Sequence, residues 1–245
     1  MRFPDTYTIR RQTPRDSVIF AAAQLLGAQD TQEDYFLNFN DECFVLSDGV
    51  SSMPNGEAAA KLACETALWG YKHIRQHPYY WLDKKLFMKR IFRSTNLAVW
   101  QKQREKGFEE GLATTLMVLM VGAKNYWIGH AGNSSAWLFR NREITKLTHD
   151  DTTANGVLTK AVGFKRLGLL PEFKSGVFEV DDVLLLTSDG AGEYLTAKDM
   201  IDCLSTVGST NEEATRAVTG LLRLAESNGS KENSSAIIIK RLLNP

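Results

Sequence analysis

Apolar positions along this chain change their period several times, and each change marks a new block of structure. From Ser17 to Ala28 the residues are almost continuously apolar or small, a run that reads as a first buried strand. Tyr35-Phe36-Leu37 and Cys43 to Ser47 are two further apolar runs, separated by Asn38 to Asp41, whose composition predicts a hairpin turn. From Gly56 to about Arg75 the spacing becomes three and four. Ala59, Leu62, Ala63, Thr66, Gly70 and Ile74 then share one face of a helix, with Asn55 as its N-cap and Glu57 in its first turn. A second helix is predicted from Trp81 to Arg104, with Phe87, Ile91, Ser94 and Ala98 on one stripe and a Lys- and Arg-rich solvated surface opposite.

The pattern then returns to short runs. Thr114 to Val121, Asn125 to His130, Ser135 to Phe139 and Glu143 to Leu147 read as successive strands, with a turn at Asn141-Arg142. Phe173 to Val180 and Val183 to Ser188 continue the series. Two helices follow, Lys198 to Ser205 and Asn211 to Ser227, and Ser235 to Ile239 forms a closing β-branched strand. This order predicts one α+β domain over residues 1–245, with packed sheets inside and helices outside.

Composition narrows the class. At 43% hydrophobic and 24% charged residues the chain is that of an ordinary globular protein. Lys+Arg and Asp+Glu both number 29, which leaves no electrostatic footprint for nucleic acid or an anionic membrane. Cys43, Cys64 and Cys203 are odd in number and scattered, as expected of reduced thiols, and the tryptophans are expected in the core. Arg10, Arg11 and Arg15 precede the first apolar run much as in a leader peptide, but Pro14, Asp16 and Gln24 interrupt that pattern. No run approaches the ~18 apolar residues of a membrane span. The expectation is a cytoplasmic protein without a nucleic-acid or membrane partner.

Candidate chemistry comes from a repeated phrase. Cys43 to Gly49 and Val183 to Gly190 are both apolar runs that end in Ser-Asp-Gly. Each delivers a carboxylate to a strand end, where glycine permits a sharp turn and leaves its carbonyl unobstructed. Oxygen ligands at a rigid sheet edge suit a hard divalent cation, and two matched ends far apart in sequence suggest one shared site.

Other polar spots join them in order: Gly27 to Asp34, Asp48 to Glu57, Ala113-Thr114-Thr115, Gly132 to Ser135, Ser188 to Gly190 and Glu232 to Ser235. Over nearly the whole chain this series resembles the protein phosphatase 2C family, the metal-dependent PPM-type Ser/Thr phosphatases. The family's elements read G-x-R-x-x-[NE]-[EQ]-D, D-G-M-G-G-H-x-x-G-E, G-T-T, G-D-S-R, S-D-G and D-N-[IV]-T. Leu147 to Asp150 and Thr159 to Gly163 also resemble its L-T-x-D-H and T-R-A-L-G elements. The resemblance implies an antiparallel β-sandwich flanked by pairs of α-helices, with a centre of two Mn²⁺ or Mg²⁺ ions. It implies that Asp48 bridges the ions with the Gly49 carbonyl on one of them, that Asp189 and Glu232 hold the other, and that Asp34 and Glu33 orient bound waters. Such ions, roughly 3.5–4 Å apart, activate a water as the nucleophile and clamp the phosphate. The implied substrate is a phosphoserine or phosphothreonine protein, with a cognate Ser/Thr kinase as a further partner.

The chain also departs from the family. Gln29 stands where the family has its phosphate-binding Arg, so this substrate contact keeps a hydrogen bond and loses a charge. Met53 occupies the position of the proton-donating His, and a thioether is no acid. Asn133 replaces the Asp of the G-D-S-R turn, and Glu232 replaces the exit Asp. Only Asp151 to Val157 separates two elements that a longer flap usually joins, so the flap is expected to be short or absent. No side chain is assigned as catalytic. Asn133 and His130 are candidate contributors, His149 sits at the flap's root, and Arg10, Arg11 and Arg15 are candidates to reach the phosphate. Three readings remain open: an active protein phosphatase, a pseudophosphatase that binds phosphoproteins or a kinase, and a phosphatase of small molecules.

Overall fold

The computed structural model describes residues 18–77 and 83–243. Arg10, Arg11, Arg15 and Trp81 lie outside the described residues. Two five-stranded sheets face each other. One runs β1 (Val18–Leu25), β10 (Ser234–Arg241), β9 (Val183–Thr187), β6 (Ser135–Arg140) and β7 (Glu143–Lys146). The other runs β2 (Asp34–Phe39), β3 (Cys43–Asp48), β4 (Leu116–Val121), β5 (Asn125–Ala131) and β8 (Glu172–Val177). Every neighbouring pair is antiparallel.

The period of two explains why the central strands are apolar throughout. In β3, Phe44 and Leu46 point between the sheets, while Cys43 and Val45 point outward beneath helices. In β10, Ile237 and Ile239 face the opposite sheet, and Ala236 and Ile238 face the outer layer. Both faces of these strands are covered, so neither face tolerates polar residues. Each large aliphatic side chain buried this way contributes about 1.5–3 kcal/mol. Helices α1 (Gly56–Ile74) and α2 (Lys84–Lys102) cover the second sheet. After the single turn α3 (Asp189–Gly192), α4 (Ala197–Leu204) and α5 (Asn211–Ser227) cover the first. The expected sandwich with paired outer helices is the architecture observed.

Several local expectations need correction. Asn55 is at the N-cap position of α1 but makes no capping hydrogen bond; its amide reaches the Gly111 carbonyl instead, at 3.4 Å. Helix α2 starts at Lys84, because Asp83 caps it by accepting from the Leu86 N–H at 2.8 Å. Its buried face is Phe87, Met88, Ile91, Phe92, Thr95, Asn96 and Val99, so Ser94 is not on the core stripe. The capping boxes Thr196–Asp199 and Thr210–Glu213 start α4 and α5. Among the described tryptophans, Trp69 is 61% exposed and Trp100 only partly buried, whereas Trp127 and Trp137 are partly buried and pack against the core. Arg104 and Arg166 lie over Trp100, and Lys84 lies over Trp127, so these rings form platforms for cationic stems. Cys43 and Cys64 are buried free thiols, as expected.

Gly129 in β5 marks the closest approach of α2. A Cβ there would stand 2.5 Å from the Phe92 ring and 2.6 Å from the Met88 side chain. Gly129→Ala should therefore destabilise the protein by about 1–3 kcal/mol through overpacking. A lower urea midpoint at unchanged slope would report this, and an unchanged midpoint would show that the α2 contact yields freely.

Candidate active site

The two Ser-Asp-Gly strand ends lie at the same end of the sandwich, one from each sheet. Asp48 ends β3, and Thr114 and Thr115 hold it from the side. The Asp48 N–H donates to Thr115 Oγ1 at 2.9 Å. The Asp48 carbonyl accepts from the Thr115 N–H and from Thr114 Oγ1, both at 2.8 Å. Thr115 also pairs with Ser134 Oγ at 3.0 Å, which ties the neighbouring Gly132–Ser135 turn to the same strand end. Gly49 is required sterically, since a Cβ would lie 2.5 Å from the Gly56 backbone.

Asp189 begins α3 directly after β9. One of its oxygens accepts from the Gly190 N–H and the other from Asn133 Nδ2, both at 2.6 Å. Asn133 thus orients a carboxylate here and brings no charge of its own. Asp34 stands opposite Asp48 in the β2–β3 register and is buried. Its Oδ2 accepts from Ser188 Oγ at 2.8 Å, a bond that crosses between the sheets. Asn233 closes the same end: its side chain accepts from the Glu33 N–H at 2.7 Å and donates to the Leu26 carbonyl at 2.8 Å.

These residues surround an open cleft of about 460 Å³. Gln29, Glu33, Asp48, Gly49, Asn133, Asp189 and Glu232 line it together, and Asp34 lies behind Asp48. Besides Asp34, three further positions singled out from the sequence are not on its wall. His130 is wholly buried, its Nδ1 3.9 Å from Glu172 Oε2, and burial pushes its pKa down. His149 projects into solvent and bonds Glu172 at 2.8 Å. Met53 packs its sulfur against Gly111. Glu193, by contrast, lines the cleft and went unforeseen. It lies four residues beyond Asp189, and a helix begun at Ser-Asp-Gly would have put it one turn on.

A family model described as protein phosphatase 2C matches residues 26–227. The chain belongs to the protein phosphatase 2C family. Among its relatives is the serine/threonine phosphatase stp of Listeria welshimeri, 22% identical over 83% of this chain and 86% of that protein. The serine/threonine phosphatase Stp1 of Staphylococcus aureus superposes with a TM-score of 0.81 at 20% identity, over 96% of this chain and 99% of that one. The catalytic domain of the serine threonine protein phosphatase PstP, whose structure is a complex with two manganese ions, gives 0.76 at 21% identity over 92% and 99%. No helix among the described residues is long and apolar enough to cross a membrane.

The electrostatics of this protein phosphatase 2C site are those of crowded carboxylates. Burial raises the Asp34 pKa to about 7, with a further push from Asp189. Burial also raises Asp48 well above the usual range, followed by repulsion from Asp34 and Asp189. Glu232 and Glu193 are raised by burial and then by Asp189, and Glu33 by burial and then by Glu57. No Lys or Arg appears among the described residues that line the cleft. No three His, Cys, Asp or Glu side chains among the described residues form a ready-made metal cage. A small hard cation does not need one, since it retains several waters and takes one or two carboxylates. The all-oxygen donor set and the unrelieved repulsion fit such ions.

The sign of the pH effect follows from Asp34. Without metal, its raised pKa makes the folded state hold a proton that the unfolded chain releases near its ordinary value of ~4. That stabilisation is complete below the unfolded value and is lost as pH rises through about 7. In chelator, the melting temperature should be higher at about pH 5.5 than at about pH 8, and Asp34→Asn should flatten the difference. Added Mn²⁺ should raise the value more at the higher pH. A metal-free melting temperature that climbs with pH in wild type alone would contradict this account.

Proposed function

We propose that the protein is a metal-dependent phosphatase that hydrolyses phosphoserine and phosphothreonine in proteins, with residues 1–245 as one phosphatase domain. One observation carries the reading: two strand ends from different sheets aim carboxylates into a cleft that has no positive charge on its described walls. A phosphate dianion enters such a cleft only when cations neutralise it. Asp48, the Gly49 carbonyl, Asp189 and Glu232 are the residues that would hold two Mn²⁺ or Mg²⁺ ions, with Asp34 and Glu33 holding bound waters in place. When bound, the ions supply charge neutralisation for the phosphate and an activated water as nucleophile.

The chain's own contributions are positional. Thr114 and Thr115 fix the Asp48 backbone, Asn133 turns the Asp189 carboxylate, and Gln29 at the cleft wall offers the phosphate an amide hydrogen bond. The PstP complex with two manganese ions supports the choice of cation. The names of the Listeria and Staphylococcus relatives support a phosphorylated protein as substrate. The same reading places the protein in the cytoplasm, with a Ser/Thr kinase as its functional counterpart. A pseudophosphatase reading draws on the uncharged Gln29 and on Met53, which faces Gly111 instead of the cleft.

Aryl phosphate separates the two, because its leaving group needs no acid. With Mn²⁺ the protein should hydrolyse it, and Asp48→Asn or Asp189→Asn should reduce turnover to the metal-free background. Turnover no greater than that of the Asp48→Asn variant would favour the pseudophosphatase.

Gln29→Arg restores a charged fork at the cleft wall. It should lower KM for a phosphoserine peptide about five-fold, the difference between a neutral and a charge-assisted hydrogen bond. An unchanged KM would place the phosphate away from residue 29.

A further inference from the structure

A second recess opens beside the cleft, and the two share a wall. It has a volume of about 150 Å³ and lies between Asn96 of α2 and the segment 159–170. Phe164 lines both cavities. Leu169, Leu170, Lys160 and Lys165 also line the recess. A cavity of this volume accommodates a benzene-sized group, which is the size of a Leu or Phe side chain.

Exposed apolar side chains follow one another along the chain from the cleft to the recess. Val157 is 63% exposed, Phe164 37%, Leu167 65% and Leu170 75%, all within one short stretch of chain. Contiguous exposed apolar groups of this kind mark contact surfaces. Side-chain hydrogen bonds also anchor the backbone of this stretch. Asn96 donates to the Lys165 and Arg166 carbonyls at 2.8 and 3.2 Å and accepts from the Gly163 N–H at 2.9 Å. Gln103 holds the Gly163 carbonyl at 2.7 Å. On the cleft side, residues 151–159 form a tight hairpin in which Thr153 N–H bonds Val157 O and Thr159 N–H bonds Asp151 O. This hairpin sets Val157 and Leu158 on the cleft wall, so no tall flap screens the recess from the cleft.

Charge changes sign across Phe164. The cleft wall is carboxylate-rich, whereas beyond Phe164 come Lys165 and Arg166. Lys160 is neutralised by Asp151, but Lys165 forms no ion pair among the described residues. We propose that this recess is a substrate subsite: it takes a Leu- or Phe-like side chain flanking the phosphoresidue, and Lys165 meets an acidic residue beside it. The inference rests on the phosphatase reading and names the peptide class that site prefers, a phosphopeptide with an apolar and an acidic residue on the same side.

The test uses phosphoserine peptides in which a single Leu or Phe is moved through each flanking position. One position should lower KM about ten-fold, the effect of burying such a side chain in part. Leu170→Asp should cancel that preference, and Lys165→Glu should reverse the preference for an acidic neighbour. Leu170 is exposed, so the folded state should be undisturbed, which a melting curve verifies. Aryl phosphate, too small to reach the recess, should be hydrolysed equally by wild type and both variants. A peptide series without positional preference, or a preference that survives Leu170→Asp, would overturn the subsite. Loss of aryl phosphate turnover in wild type would instead sink the phosphatase reading. In that event fluorescence anisotropy of the same labelled peptides still judges the recess, since binding insensitive to Leu170→Asp would sink it independently.

Discussion

The hydrogen bond from Ser188 Oγ to Asp34 Oδ2 joins the two sheets at the end where the chemistry is assembled. Asp34 belongs to β2 and faces Asp48 across the β2–β3 ladder, while Ser188 follows β9 and precedes Asp189. A single buried carboxylate therefore sets the position of one strand end against the other. Ser188 Oγ in turn accepts from the Ser235 N–H at 2.9 Å, and Gln24 reaches both the Asp34 carbonyl and Ser235 Oγ. A seam of this kind is stabilising only while every member is satisfied. The metal-free protein meets that condition by protonation, because burial holds Asp34 and Asp48 toward their neutral forms. Cations meet it differently, by making the charged forms the stable ones.

This arrangement explains why certain glycines and small polar residues crowd one end of the molecule. A Cβ on Gly190 would lie 2.2 Å from the Asn233 carbonyl, and one on Gly27 would lie 2.4 Å from the Glu232 carbonyl. The turn after β9, the entry after β1 and the turn before β10 are thus packed backbone to backbone. Side chains at those points would hold the strand ends apart, and Asp48 and Asp189 would no longer share a cleft.

Much of the architecture was legible in the sequence because hydrophobic burial on both faces of a strand leaves an unmistakable run. Cys43 to Ser47 and Val183 to Ser188 were readable for that reason, as was α5, whose predicted limits are those observed. The weaker readings share another cause. Asn55 had cap chemistry but a tertiary acceptor, the Gly111 carbonyl, claimed its side chain. The tryptophans were read as core, whereas Trp100 lies under arginine and Trp127 divides its ring between the core edge and a lysine. At the site, Asp48, Asp189, Glu33 and Glu232 were legible from order along the chain. His130 was not, because strand alternation turns it inward with Tyr126 and Ile128. Glu193 stayed hidden because the one-turn helix α3 has no hydrophobic period to reveal it.

The departures from the family pattern fall into two kinds. Gln29 for the family's Arg and Met53 for its His take away a charge and an acid, while Asn133 and Glu232, each in place of a family Asp, keep oxygen-bearing side chains on the cleft wall. The Asp that became Asn133 illustrates the difference. Its amide now donates to Asp189 Oδ2 at 2.6 Å, a bond that turns the carboxylate and that an ionised carboxylate at this position could not donate. The described walls of the cleft thus carry oxygen groups and no Lys or Arg. Under the proposed phosphatase reading, affinity for the phosphoryl group would rest on the ions, and discrimination among phosphoproteins on surfaces around the cleft. The short hairpin at residues 151–159 leaves those surfaces open, and the exposed side chains of Val157, Phe164, Leu167 and Leu170 follow it along the chain.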